Sequence, residues 1–227
     1  MLTSIDYKRQ ICDIREINIF KDNPWHAKAM EPHLPSELAG PAGRYLVLLD
    51  RWNRTHALTA LPPGQRREEL LVDAAALLPF LAGLPAGARV VDLGTGMGSP
   101  AVVLALARPD LEVIGVDASM KKLAFLRQVA MELPIPNLKA LHGRLETLPP
   151  LEADWGTAKA LGPLASLVGW WARHGRKGSP FFALKGADWV EERVPQGWTA
   201  QAHPYRLPTR GDRMVIELRQ SPARDPK

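Results

Sequence analysis

Three glycines at alternate positions form the strongest chemical pattern in the sequence. Gly94, Gly96 and Gly98 follow a short run rich in β-branched residues (89–93) and precede an apolar stretch. Glycine lets the backbone turn tightly and lets a ligand approach closely, because no Cβ stands in the way. Asp117 ends the next such run, where a carboxylate can accept hydrogen bonds from both hydroxyls of a ribose. Together these residues predict a pocket for a cofactor that contains adenosine.

The spacing of the glycines distinguishes between classes of cofactor. A dinucleotide site typically reads G-x-G-x-x-G, whereas residues 94–98 read G-x-G-x-G and follow an acid, Asp92. The sequence contains no G-x-x-x-x-G-K-[ST], so a nucleotide-hydrolysing enzyme of the Walker type is disfavoured. The spacing resembles that of Rossmann-like methyltransferases that use S-adenosylmethionine (SAM). An ordinary strand-to-helix turn is the alternative interpretation of the glycines.

Runs of apolar residues predict the elements that position this loop. Strands are expected at 89–93, 111–117, 138–141, 156–160 and 179–184, with helices at 100–107, 119–133 and 164–172 between them. Ser119 is a candidate cap for the second of these helices. Two further strands, at 198–203 and 213–219, are expected to be antiparallel. The alternation predicts an α/β fold with a mostly parallel sheet, helices on both faces and a C-terminal antiparallel strand pair. Helices at 44–60 and 68–81 precede the sheet.

Length, composition and charge are those of a soluble globular protein. The chain has 227 residues, of which 46% are hydrophobic and 23% charged, and this balance argues against a disordered or fibrous protein. No stretch approaches the ~20 apolar residues that span a bilayer, and charges in the first twenty residues argue against a signal peptide. Cys12 is the single cysteine, and the six histidines lack metal-ligand spacing. We therefore expect a cytoplasmic protein without a membrane or metal site.

The net charge permits a nucleic-acid partner without proving one. The formal charge is +5 and the pI about 9.5. One group of basic residues precedes the fifth strand and another lies near the C-terminus, and each could form a phosphate-binding face. A solvated basic rim is the alternative. The residues are Arg173, Arg176 and Lys177 in the first group, and Arg206, Arg210 and Arg213 in the second.

The segment VVDLGTGMGSPAVVLALARPDLEVIGVDASMKKLAFLRQVAMEL resembles the RsmG (GidB) family, bacterial methyltransferases that modify guanine N7 in small-subunit ribosomal RNA. Similar segments lie upstream, in RWNRTHALTAL and EELLVDAAALLP, and downstream, in HGRLETLP, TAKALGPLASL and FFALKG. The resemblance covers roughly residues 44–190. It implies a Rossmann-like class I SAM-dependent methyltransferase domain over 44–219 with a helical cap at 44–85. A variable lead-in (1–43) and a disordered tail (220–227) would flank it.

The resemblance also implies the residues that bind SAM. Met120 is expected to lie over the adenine because it is apolar and close to Asp117, and Leu145 is expected to supply a backbone amide near the adenine. Transfer to guanine N7 needs alignment and exclusion of water but no general base, because N7 carries a lone pair and no proton. The cofactor-binding residues implied are Asp92, Gly94, Thr95, Gly96, Gly98, Asp117, Ala118, Met120, Leu145 and Glu146.

On the substrate side the sequence departs from the family pattern. Lys159 stands where the family has an arginine, and we expect it to be the catalytic and substrate-binding residue, together with Lys185 and Arg173 as substrate contacts. Polar residues of the family are replaced by Ala57, Leu70 and Ala74. These changes leave three alternatives open: a small-subunit rRNA methyltransferase, a relative that methylates another RNA or a small molecule, and a non-catalytic homologue that binds SAM or RNA.

Overall fold

A seven-stranded sheet forms the centre of the fold, and the computed structural model describes it within residues 29–221. The strands lie in the order β3-β2-β1-β4-β5-β7-β6. The first five are parallel, whereas β7 is antiparallel to both of its neighbours. This arrangement confirms the predicted, mostly parallel α/β sheet with an antiparallel C-terminal pair. The strands are β1 (Arg89–Leu93), β2 (Glu112–Asp117), β3 (Leu138–His142), β4 (Trp155–Lys159), β5 (Phe181–Lys185), β6 (Trp198–Leu207) and β7 (Gly211–Gln220).

Helices cover both faces of the sheet, as the alternation predicted. Neighbouring residues of β1 show this, because Val90 packs in the apolar cluster on one face and Val91 in the cluster on the other. The helices are α1 (Ala39–His56), α2 (Pro63–Arg67), α3 (Asp73–Ala75), α4 (Ala101–Ala107), α5 (Met120–Glu132) and α6 (Leu164–His174), and a π-helical turn (Glu68–Val72) joins α2 to α3. Short 3₁₀ turns lie at Ser36–Leu38, Leu78–Leu81 and Ala187–Glu191.

The order of the strands reverses at β1, which pairs with β2 on one side and β4 on the other. In the register, Asp92 lies opposite Gly115 of β2 and Thr157 of β4. Ligands of open parallel sheets bind beyond the carboxyl ends of the strands at such a reversal. The topology therefore directs attention to the loops that follow β1, β2 and β4.

The first helix begins earlier than the sequence predicted. We expected a boundary between lead-in and domain after residue 43, but α1 begins at Ala39, so this boundary lies inside the helix. Pro41 misled the prediction: a proline in the first turn of a helix removes an N–H that has no intrahelical partner there. Cys12 and the rest of the predicted lead-in up to residue 28 lie outside the described residues, as do residues 222–227 of the predicted tail.

The predicted helix over 68–81 is interrupted rather than continuous. It forms a π-helical turn at Glu68–Val72 and a 3₁₀ turn at Leu78–Leu81. The Lys159 ammonium donates a hydrogen bond to the Glu69 carbonyl within the π-helical turn. Pro79 cannot donate a backbone hydrogen bond, which accounts for the shorter last turn. The interruption lies beside the end of β4, and π-helical turns are frequent at functional sites.

Helix α1 ends in a strained residue. Ala57 adopts a left-handed conformation with φ of 44°, the position that usually holds glycine or asparagine because a Cβ is crowded there. Lys121 reinforces the same turn by donating to the His56 carbonyl at 2.6 Å. The end of α1 is therefore fixed by a tertiary contact despite an unfavourable local residue.

We expect Ala57→Gly to raise the free energy of unfolding by about 1 kcal/mol, because glycine adopts positive φ without the steric cost that alanine pays. Urea denaturation measures the change. Ala60→Gly is the matched control, since Ala60 is also an exposed alanine but does not have positive φ. An Ala57→Gly chain no more stable than the control would contradict the strain.

Candidate functional site

The loop after β1 forms a cradle of bare backbone. Gly94, Gly96 and Gly98 all have positive φ, at 68°, 58° and 100°. A Cβ on Gly98 would lie 2.7 Å from side-chain atoms of the helices behind it, so that glycine is needed for packing. A Cβ on Gly96 would meet nothing nearer than the Gly94 carbonyl at 3.9 Å. The backbone at Gly96 therefore faces open space in which a ligand can approach it.

Asp117, at the end of β2, fastens this cradle. Its Oδ2 accepts a hydrogen bond from the Gly96 N–H at 3.0 Å, and its Oδ1 accepts one from the Ser119 N–H at 2.7 Å. The predicted side-chain cap by Ser119 is not formed; its backbone N–H is instead bonded to Asp117. Each carboxylate oxygen has a further lone pair. The partly exposed Asp117 can therefore accept additional hydrogen bonds from two neighbouring hydroxyls.

Two buried polar atoms next to the cradle lack hydrogen-bond partners within the described chain. Asp92 is fully buried and accepts a hydrogen bond from the Ala101 N–H through Oδ2 at 3.2 Å, while its Oδ1 is unpartnered. The Thr95 hydroxyl is also buried and makes no hydrogen bond of normal geometry. Burial raises the pKa of Asp92 to about 7, although the nearby Thr95 hydroxyl and the Ala101 N–H act to lower it. A buried polar group without a hydrogen bond costs free energy of folding. A polar group of a ligand bound at the cradle would supply the missing hydrogen bonds.

The residues that follow Asp117 present an apolar surface at the same edge of the sheet. Met120 is 54% exposed, so its apolar side chain is accessible at this edge. Ala118 is exposed as well, and its carbonyl lies 3.1 Å from His142 Nε2. The two positions are compatible with contact to a planar ring, as the sequence predicted for the cofactor.

Leu145 and Glu146 follow β3 and are held by α6. The Leu145 side chain is buried in the core, so only its backbone can face a ligand, in line with the predicted backbone role. Its carbonyl lies 2.8 Å from His174 Nε2. Glu146 is exposed, and its Oε1 accepts a hydrogen bond from the Trp170 indole at 3.0 Å. The structure brings this loop to the sheet beside β1 and β2, through contacts that the sequence did not indicate.

Lys159 is not a free surface lysine. Its ammonium lies 3.2 Å from Asp73 Oδ2 and also donates to the Glu69 carbonyl, and the side chain is only 14% exposed. Asp73 is 1% exposed, and its Oδ1 accepts a hydrogen bond from the Tyr205 hydroxyl at 2.5 Å. Burial raises the pKa of Tyr205, which keeps the hydroxyl protonated as a donor. The three side chains join the helical cap, β4 and β6 in one buried network.

Asp73 and Tyr205 are the residues that sequence reasoning missed. An acid within an otherwise apolar segment, LLVDAAALL, was the available signal for Asp73. Nothing in the local sequence pairs it with Tyr205, which lies 132 positions away.

Carboxylates engage the C-terminal basic group, which does not favour a phosphate-binding face there. Arg210 and Arg213 both pair with the buried carboxylate of Glu69, and Arg206 lies 3.7 Å from Asp212. Arg210 and Arg213 thereby hold the cap against the β6–β7 hairpin, whereas Arg206 and Asp212 pair within the hairpin.

Lys185, a predicted substrate contact, ends β5 and bonds to the protein's own chain. It donates at 2.7 Å to both the Gly162 carbonyl and Glu192 Oε1, so it ties together the loops that follow β4 and β5.

Arg173, the other predicted substrate contact, lies in the last turn of α6 and donates to the Leu148 carbonyl, so it contacts the segment that follows Leu145 and Glu146. The carbonyl of the next residue, His174, accepts a hydrogen bond from the Ala153 N–H just before β4. This turn therefore lies toward the amino ends of the strands, whereas Lys159 and Lys185 lie at their carboxyl ends.

Comparisons with known proteins identify relatives over most of the chain. The sequence pattern of the family described as "rRNA small subunit methyltransferase G" matches residues 41–205. "Ribosomal RNA small subunit methyltransferase G" of Bordetella avium is 37% identical over 186 residues, which cover 78% of this chain and 83% of that protein. The protein of the same name from Xanthomonas euvesicatoria is 36% identical, with 82% and 89% covered.

A solved structure supports the same fold at lower identity. The SAM-dependent methyltransferase from Aquifex aeolicus superposes with a TM-score of 0.51 and 16% sequence identity. The match covers 74% of this chain and 97% of that one. Within residues 29–221, no helix has the length and apolar character needed to cross a membrane.

The raised pKa of Asp92 predicts a pH dependence of stability. Because the pKa of Asp92 rises from 3.8 in the unfolded chain to about 7 in the folded chain, the folded chain holds a proton that the unfolded chain releases between these pH values. The contribution of this proton to the free energy of unfolding is fully present below pH 3.8 and is lost as the pH rises through about 7. Replacement by Asp92→Asn removes this ionisation. We expect the free energy of unfolding of the variant, relative to the ligand-free wild type, to increase from pH 5 to pH 8 in urea denaturation. An equal difference at both pH values would contradict the raised pKa.

The network around Asp73 predicts that replacing two buried tyrosines by phenylalanine lowers the free energy of unfolding by unequal amounts. Tyr205→Phe removes a hydrogen bond to a carboxylate and should lower the free energy of unfolding by about 1.5–3 kcal/mol. The control, Tyr45→Phe, removes a hydrogen bond of 3.1 Å to the neutral Met97 carbonyl and should cost about 0.5–1.5 kcal/mol. Chemical denaturation compares them, and an equal or smaller loss for Tyr205→Phe would refute the charged network.

Proposed function

The chain belongs to the family of rRNA small subunit methyltransferase G, and on this premise we propose that it transfers a methyl group from SAM to guanine N7 of small-subunit ribosomal RNA. The observation that carries the proposal is the cradle at 94–98, whose open glycine is fastened by the carboxylate of Asp117. A backbone free of side chains, next to a carboxylate with spare lone pairs, suits the nucleoside part of the methyl donor.

The residues at the cradle fit SAM. Asp117 is suited to accept hydrogen bonds from the two ribose hydroxyls, while Met120 and the backbone of Leu145 are placed to flank the adenine. The unpartnered oxygens of Asp92 and Thr95 are suited to meet the polar amino-acid end. SAM supplies, when bound, a methyl group carried on a sulfonium. We propose that Gly94, Gly98, Ala118 and Glu146 complete the cofactor site.

The acceptor side requires positioning rather than proton removal. Guanine N7 has a lone pair and no proton, so the protein must hold the base in line with the methyl group and exclude water. Lys159 ends the strand next to Asp92, and two of its three donors are used by Asp73 and Glu69. We propose that it keeps one donor and its positive charge for the substrate, and that Asp73 sets its position.

The divergent residues of the cap bear on the choice between substrates. Leu70 and Ala74, which replace polar residues of the family pattern, are both buried in the core. Their replacement changes the interior packing of the cap and leaves its outer surface unaltered. The alternatives, methylation of another RNA or of a small molecule and binding without catalysis, therefore gain no support from these two positions.

Labelled SAM incubated with undermethylated small ribosomal subunits tests the reaction. Total RNA lacking the subunits and a small-molecule extract serve as parallel substrates. We expect label in the small-subunit rRNA, recovered after digestion as N7-methylguanosine. Label confined to the small-molecule fraction, or found on another nucleoside, would exclude the proposed reaction.

Asp117→Ala tests the cofactor site by titration calorimetry with SAM. We expect the Kd to rise by at least tenfold, because charged hydrogen bonds to the ribose are each worth about 1.5–3 kcal/mol. Asp110→Ala is the control, since this exposed carboxylate lies before β2, at the other end of the strand. An unchanged Kd for a folded Asp117→Ala chain would refute the ribose assignment.

A further inference from the structure

Helices α1 and α5 share an outer face on which five exposed basic residues have no carboxylate partner among residues 29–221. We call this surface the basic helix face; it consists of Arg44, Arg51 and Arg54 on α1 and of Lys121 and Arg127 on α5. Lys122 is half-buried and lies on the core side of α5 with Leu126 and Val129. It differs from the predicted basic clusters, whose arginines mostly pair with acids.

The acids of the two helices do not neutralise this face. On α1 the acid is Asp50, and it pairs with Arg66, which comes from α2. On α5 the acid is Glu132, at the end of the helix, where it accepts a hydrogen bond from Gln128 at 2.7 Å. Within the part of the chain that the structure describes, the basic helix face therefore carries positive charge that no carboxylate pairs with.

Direct contacts make the two helices one surface. The rings of Trp52 on α1 and Phe125 on α5 lie 5.6 Å apart between centroids. The Lys121 ammonium donates to the His56 carbonyl at the end of α1. Arg51 and Arg54 are three positions apart, so they project from the same side of α1. The surface is thus continuous from the second half of α1 to the first turns of α5.

The two helices that carry the basic helix face border the cradle. Helix α1 contacts it from its buried side, where the Tyr45 hydroxyl donates to the Met97 carbonyl within the glycine loop at 3.1 Å. Helix α5 begins at Met120, three residues after Asp117, so Lys121 lies at the same edge of the sheet as the cofactor site. A polyanion bound along this surface would pass next to the place where the methyl group is transferred.

We propose that the basic helix face binds the phosphate backbone of the RNA substrate; this inference rests on the proposed function. Phosphate contacts supply most of the affinity of a nucleic-acid complex, because each neutralised phosphate releases counterions. Cations paired with protein carboxylates contribute little to this, whereas the cations of the basic helix face, which have no carboxylate partner among residues 29–221, can do so. The contacts hold the RNA without reading its sequence.

The double substitution Arg51→Gln/Arg54→Gln tests the proposal on undermethylated small subunits. We expect the KM for subunits to rise on the order of tenfold, with kcat and the Kd for SAM unchanged. The slope of log KM against log salt should fall by about 1.4, since each lost phosphate contact on single-stranded RNA accounts for about 0.7. Both residues are exposed, so the fold should be retained.

Arg176→Gln/Lys177→Gln is the charge-matched control. These exposed residues lie between α6 and β5, near the amino ends of the strands and opposite the cradle. We expect this control to retain the KM and salt slope of the wild type. If KM rises as much in the control as in Arg51→Gln/Arg54→Gln, binding follows net charge. If KM is unchanged in Arg51→Gln/Arg54→Gln, these two arginines do not contact RNA. Either result overturns the proposal.

A second measurement distinguishes failure of this proposal from failure of the proposed methyl transfer. Should the wild type leave the subunits unmethylated, the proposed function fails, and fluorescence anisotropy with a labelled fragment of small-subunit rRNA then decides the surface alone. Weaker binding by Arg51→Gln/Arg54→Gln than by the control supports the basic helix face. Equal binding by the two variants overturns it.

Discussion

The hydrogen bonds of the Asp117 carboxylate are the contact on which the site depends. This side chain holds the Gly96 N–H with one oxygen and the Ser119 N–H with the other. It thereby joins the loop after β1 to the start of α5, and helps to hold a conformation with three positive φ angles, which glycine adopts without steric cost. The same carboxylate retains lone pairs for a ligand. One residue therefore shapes the cradle and, in the proposed function, also binds the ligand there.

A second set of interactions fixes the helical cap over the end of β4. Asp73 is buried with Lys159 and Tyr205 as partners, and Glu69 receives arginines from the β6–β7 hairpin. Buried ion pairs add little net stability, because desolvation offsets the attraction, but they disfavour any arrangement in which one partner is left alone. The network thus determines where Lys159 lies relative to the cradle.

Ion pairing also decides which basic residues are available to an anionic substrate. The arginines of the β6–β7 hairpin are engaged by Glu69 and Asp212, whereas those on the outer face of α1 have no carboxylate partner among residues 29–221. Basic residues are dense in the sequence near residues 206–213, but the exposed positive charge without a described carboxylate partner lies on α1 and α5. The surface that remains positive is the one beside the cradle, where a bound polyanion would be close to the transferred methyl group.

The sequence by itself determined the strands, the glycine loop and the cofactor class. Strand β1 was predicted at its observed bounds and β2 within one residue, because apolar runs and glycines report on local backbone preferences. The same reasoning did not reach the features that distant residues decide: the π-helical turn at Glu68–Val72, the ion pair of Lys159 with Asp73, and the pairing of the C-terminal arginines with carboxylates. Glu69 and Arg210 lie 141 positions apart, and no local pattern encodes their pairing. Only the tertiary structure, by bringing such charges together in a buried site, decided which of them hold the fold and which remain for the substrate.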